Sequence, residues 1–171
     1  MDSNSKFQNE HKQGGSLHSQ FMEKAVALSR EYMEKGHGGP FGAVVVKDGK
    51  IISEGWNQVT SNNDPTAHAE VQAIRKACEA LQSFDLSGTE IYTSCEPCPM
   101  CLSAIYWARI EKIYYANTRE DAARIEFDDD FIYQEIGRSI SARSIPMLQL
   151  KSTEAHQVFQ DWSKKQDKTQ Y

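Results

Sequence analysis

His68-Ala69-Glu70, followed by Pro97-Cys98-Pro99-Met100-Cys101 with Cys98 thirty positions beyond His68, constrains this chain more than any other feature. A neutral imidazole (His68) and two thiolates (Cys98, Cys101) supply three of the four tetrahedral positions of a zinc ion. Whatever fold the chain takes must bring them to one point. The fourth position stays open for water, whose pKa bound zinc lowers to roughly 7. Glu70 is a poor partner for a closed zinc site and a good one for moving protons beside it.

Other chemistries use parts of this pattern. A single C-x-x-C can be a redox pair. Cys95, Cys98 and Cys101 form a C-x₂-C-x₂-C run of the kind that holds iron–sulfur clusters, but the remaining cysteine, Cys78, lies upstream. Cys95 could also close a structural zinc site as a fourth ligand. Only the open catalytic site accounts for Glu70 and Pro97 together with the ligands. On that reading Cys78 and Cys95 are small buried residues.

Periodicity predicts the frame around the motif. Phe21, Met22, Ala25, Leu28, Ser29, Tyr32 and Met33 repeat at helical spacing, so a helix is expected over Leu17–Lys35, ended by Gly36, Gly38 and Gly39. A strand over Phe41–Val46, a tight turn at Asp48-Gly49 and a return strand over Ile51–Trp56 make a hairpin. Asn57–Asp64 reads as a polar loop. Asp64-Pro65 reads as an N-cap with proline at the first helical position of a helix ending near Leu81. A strand over Glu90–Thr93, a helix from Cys98 to about Arg109 and a strand over Lys112–Ala116 follow. Cys98 and Cys101 then point to one side of a helix N-terminus, where the positive end favours thiolates. Short helical stretches are expected over Asp121–Ile136, a last strand over Met147–Leu150, and a helix with an apolar stripe of Val158, Phe159 and Trp162. Strands alternating with helices imply an α/β sandwich with a mixed sheet. Both ligand segments would then lie at helix starts facing each other across it.

The chain has 171 residues and a formal net charge of −5, with no basic block beyond Lys164-Lys165. That balance argues against a large polyanionic partner such as nucleic acid. The apolar runs are too short to span a membrane. Residues 1–16 are polar, lack the apolar core of a secretory signal, and read as a disordered extension ahead of one domain over 17–171. Clustered cysteines without such a signal point to a reducing cytoplasm.

Four segments carry a resemblance: Gly38–Val44, Asp64–Glu70, Thr93–Cys101 and Ala104–Arg109. They resemble the cytidine-deaminase superfamily, whose zinc-dependent nucleobase deaminases carry the H-x-E…P-C-x-x-C signature. Phe127–Tyr133 and Tyr171 are more specifically similar to its bacterial guanine deaminase branch. The resemblance implies a three-layer α/β/α sandwich around a mixed five-stranded sheet. It implies zinc as cofactor and hydrolysis of guanine to xanthine and ammonia. It also implies that Asn57 hydrogen-bonds the purine, that Phe41 and Trp107 line the base pocket, and that Asp129 assists departure of the amino group. A homodimer exchanging C-terminal segments is implied too, with Tyr171 completing the partner's pocket. By pattern alone Phe41 and Trp107 would be core residues, Asn57 a loop residue, Asp128–Asp130 a solvated N-cap cluster and Tyr171 a frayed end. Deamination of another base or nucleoside (guanosine, cytosine or an adenosine in tRNA) and a zinc-binding module without catalysis stand as rival readings.

Overall fold

The computed structural model describes residues 3–127 and 129–171, with side chains from Leu17 onward. Asp128, in the acidic cluster, and residues 1 and 2 lie outside the described residues. Two compact units divide the chain, residues 1–129 and 130–171.

The first unit is built on a sheet of order β2-β1-β3-β4. β1 (Gly42–Lys47) and β2 (Lys50–Trp56) form the expected hairpin. Its turn places Asp48 at φ 50 and Gly49 at φ 71, as a two-residue turn with both central residues left-handed requires. β3 (Thr89–Cys95) pairs antiparallel with β1 and parallel with β4 (Lys112–Asn117). The parallel pair needs a crossover, and α4 (Pro99–Trp107) supplies it.

Helices cover both faces. α1 (Ser3–Glu34) brings Phe21 and Leu28 against Val44, Val46 and Tyr92. α3 (Ala69–Leu81) and α4 pack on the other side, where Ala69, Ala73, Ala77 and Ile105 meet Ala43, Val45 and Ile91. The alternation along β1 and β3 feeds one core and then the other. α1 and α3 each sit against a strand glycine. A Cβ on Gly42 would lie 2.3 Å from the Ala25 carbonyl oxygen, and one on Gly55 would lie 2.1 Å from that of Ala69. Gly55 thereby lets the start of α3, and with it His68 and Glu70, settle onto the sheet.

Several elements differ from expectation. α1 begins at Ser3, well before Leu17; the Gly14-Gly15 pair weakens a helix by about 1 kcal/mol per glycine, which does not force a break. A one-turn helix, α2 (Val59–Asn62), interrupts the expected loop. α3 starts at Ala69 and not at Pro65. Asp64 instead closes a local turn, accepting the Thr66 N–H at 2.8 Å and the Thr66 hydroxyl at 2.7 Å, so its carboxylate is spent before the helix begins. His68 occupies the N-cap position in extended conformation. The sheet has four strands among the described residues, and Met147–Leu150 is irregular. Apolar residues give a segment strand propensity, but a strand exists only where a neighbour completes its ladder.

The first unit ends with α5 (Arg119–Ala123), capped by Thr118 and Asp121 reciprocally. The second unit holds α6 (Asp130–Gly137), a short 3₁₀ turn (Ile140–Ala142) and α7 (Thr153–Lys164), capped by the Ser152 hydroxyl. Its apolar side chains stay largely uncovered; Leu150 is 91% and Phe159 77% exposed.

Candidate metal and catalytic site

Two helix starts build the site, as the motif requires. His68 precedes α3, Glu70 lies in that helix's first turn, and Cys98 caps α4 with Pro99 at its first turn. The candidate ligand atoms of His68, Cys98 and Cys101 all lie within 4.8 Å of one another. His68 Nδ1 is 3.5 Å from the sulfur of each cysteine. The Cys98 sulfur accepts the Cys101 backbone N–H at 3.5 Å.

The electrostatics favour metal-ligand protonation states at Cys98. Its thiol is drawn down to about 4, first by the hydrogen bond from the Cys101 thiol, with the His68 ring and the Cys101 N–H adding to it. The same contact, joined by burial and the Glu70 charge, pushes the Cys101 thiol strongly up. The pair shares one proton, and a divalent cation would displace it. Burial raises Glu70, which is 6% exposed. Its Oε1 accepts the Thr93 hydroxyl at 3.1 Å, and its Oε2 lies 3.3 Å from the Cys101 sulfur, whose one proton goes either to this oxygen or to Cys98.

A cavity of about 440 Å³ opens over these groups. His68, Glu70, Cys98, Cys95, Asn57, Phe41, Phe127 and Asp129 line it, and Glu96, Arg119 and Glu126 add charge. Phe41 and Phe127 meet edge to face at 4.9 Å and 88°. A Cβ on Gly39 would stand 2.8 Å from the Phe127 ring and 3.1 Å from that of Phe41, so glycine there leaves room for the aromatic wall. Asp129 is raised, first by burial and then by the Cys98 charge.

The structure thus brings together His68, Cys98, Cys101, Glu70, Asn57, Phe41 and Asp129. Trp107 is not among the residues lining this cavity; it is 67% exposed and borders a shallow depression with Ser103 and Tyr106. Tyr171, in the second unit, is 71% exposed. Cys95 does not join the ligand group: its sulfur is 3.5 Å from the Thr118 carbonyl oxygen, and burial lifts its thiol to about 11. A structural zinc or a cluster would need a further ligand, and among the described residues Cys95 does not supply it. Sequence reasoning passed over Thr93. The period-2 alternation of β3 puts it on the Ile91 and Cys95 face, and a hydroxyl on that buried face was the available signal.

Residues 16–117 match the family described as the cytidine and deoxycytidylate deaminase zinc-binding region. The chain belongs to this deaminase family. Zinc suits its donor set, one imidazole nitrogen and two thiol sulfurs with a fourth position left for a reactant. Guanine deaminase of Bacillus subtilis is 54% identical over 154 residues, 90% of this chain and 99% of that protein. Its X-ray structure superposes with a TM-score of 0.88, covering 90% of this chain and 98% of that one. A guanine deaminase structure from Nitrosomonas europaea aligns at 33% identity and a TM-score of 0.61, covering 64% of this deaminase and 63% of that chain. The tRNA-specific adenosine deaminase of Agrobacterium fabrum is 41% identical over 114 residues, 67% of this deaminase and 74% of that relative. No described helix is long and apolar enough to cross a membrane.

Proposed function

We propose that this chain hydrolyses guanine to xanthine and ammonia. The observation carrying the proposal is the extent of similarity. The match to a guanine deaminase runs through 99% of that relative at 54% identity, whereas a tRNA adenosine deaminase matches over two thirds of this chain. The cavity supports the same reading, being walled by aromatic rings and lined by a buried carboxyl group beside the metal ligands.

When held by His68, Cys98 and Cys101, zinc supplies Lewis acidity and a water nucleophile available at neutral pH. The chain's own residues do the rest. Phe41 and Phe127 offer a flat base an apolar wall. Asn57 holds the ring by a hydrogen bond. Glu70 takes a proton from the attacking water and hands it to ring nitrogen N3 as the C2–O bond forms. Glu70 or Asp129 then carries the proton of the new C2 hydroxyl to the exocyclic nitrogen, and ammonia leaves as the C2–N bond breaks and the C2=O bond forms. Burial raises both carboxyl groups above the ordinary carboxylate value, which favours their carrying protons.

The working form proposed is a homodimer that exchanges C-terminal segments, with Tyr171 of each chain closing the other's pocket. The exposed apolar residues of residues 130–171, including Leu148 at 85% and Phe159 at 77%, support a second copy as their cover. Light scattering coupled to gel filtration tests this; a monomer at micromolar concentration would contradict it.

Ammonia release by the zinc-loaded protein, with guanine compared against guanosine, cytosine and adenosine, tests the activity. Turnover of guanine alone is expected. Inactivity towards guanine would overturn the assignment, and turnover of guanosine would overturn the closing role given to Tyr171.

A further inference from the structure

We infer that Thr93 is a positioning residue that divides the two oxygens of Glu70 between a fixed and a working role. Its hydroxyl donates to Glu70 Oε1 at 3.1 Å. The other oxygen, Oε2, lies on the ligand side, 3.3 Å from the Cys101 sulfur. With Oε1 held by the Thr93 hydroxyl, Oε2 is the oxygen turned to the ligand side.

The surroundings point the same way. Thr93 is 1% exposed in the interior of β3, between β1 and β4. Packing alone would be served there by valine, which has the same branched shape. Its cross-strand partner is Ala43, which places only a methyl group opposite it. A neutral hydroxyl also orients a buried carboxylate without quenching it, as a lysine or arginine would. The inference rests on the proton-transfer role proposed for Glu70.

Thr93→Val removes the donor and keeps the shape, and Thr93→Ser keeps the donor. With zinc-loaded protein and guanine, T93V lowers kcat about tenfold, the loss expected for one hydrogen bond to a charged group. KM changes little, and T93S restores most of kcat. A crystal structure of zinc-loaded T93V shows the Glu70 carboxyl group turned from its orientation in the parent. Parental kcat in T93V, equal losses in T93V and T93S, or an unmoved carboxyl group in that crystal structure would each overturn the inference. Loss of guanine turnover in the parent itself would count against the proposed substrate instead, and the carboxyl orientation would still decide the role of Thr93.

Discussion

The side-chain oxygen of Asn57 accepts the backbone N–H of Val59 at 3.1 Å, and the same oxygen takes the Gly39 N–H at 3.3 Å. With its oxygen committed to the backbone, what Asn57 offers a ligand is its NH₂ donor, which suits a carbonyl oxygen or an unprotonated ring nitrogen. Asn57→Asp keeps the structural acceptor and replaces the donor. Purine affinity is expected to fall by about 1–3 kcal/mol while the melting temperature changes little. Calorimetric titration with xanthine, alongside thermal melting, separates the two effects; unchanged affinity would show that the amide nitrogen is not used.

Glu70→Gln retains the shape of the site and cannot cycle a proton. Zinc content by atomic absorption should match the parent, with kcat lower by about 10²–10⁴-fold. A variant retaining near-normal turnover would remove Glu70 from the proton path.

Cys98 is held down to about 4, whereas burial raises Cys78 and lifts Cys95 to about 11, and Cys101 is raised furthest. A depressed thiol is thiolate at every pH above its folded value. Its contribution to metal-free stability is therefore full above the ordinary thiol range and disappears as pH falls through about 4. At pH 6, iodoacetamide should modify Cys98 of the zinc-free protein ahead of the other three, as read by peptide mass spectrometry. Zinc should protect it. Uniform labelling, or labelling that begins only above pH 8, contradicts the thiolate.

Gly55 lies beneath the start of α3, where an added Cβ meets the Ala69 carbonyl oxygen at 2.1 Å and the Ala73 backbone nitrogen at 2.5 Å. Backbone cannot rotate away as a side chain can. Gly55→Ala is expected to cost about 1–3 kcal/mol in denaturant unfolding and to speed zinc loss to a chelator, because α3 carries Glu70 and follows directly on His68. Parental stability would mean that α3 shifts freely on the sheet.

Removing Tyr171 should leave zinc content intact and admit guanosine as a substrate, if this residue closes the pocket against a ribose. The ratio of kcat/KM for guanine to that for guanosine is the quantity to measure. A ratio equal to that of the full chain would end the closing role.

Residues close in sequence made much of this molecule legible. The unbroken apolar run of Ala43, Val44, Val45 and Val46 specifies a strand buried on both faces, and Asp48-Gly49 specifies the turn after it. Both depend on φ/ψ preference and short-range period, which a few residues carry by themselves. Pro65 was misleading because its neighbour Asp64 serves a turn and a helix cap with the same carboxylate chemistry, and only the surrounding backbone selects between them.

The sequence by itself determined the chemistry available at the site: imidazole and thiol donors at metal spacing, a glutamate two residues from the histidine, and helix starts to carry them. Only the tertiary structure decided which groups meet. It separated Cys95 from Cys98 and Cys101 by turning the end of β3 towards Thr118, set Asn57 against Gly39, and placed the Thr93 hydroxyl on Glu70. Contacts between positions 18 and 23 residues apart depend on how strands and helices pack, and close packing selects among arrangements that local preference leaves equivalent.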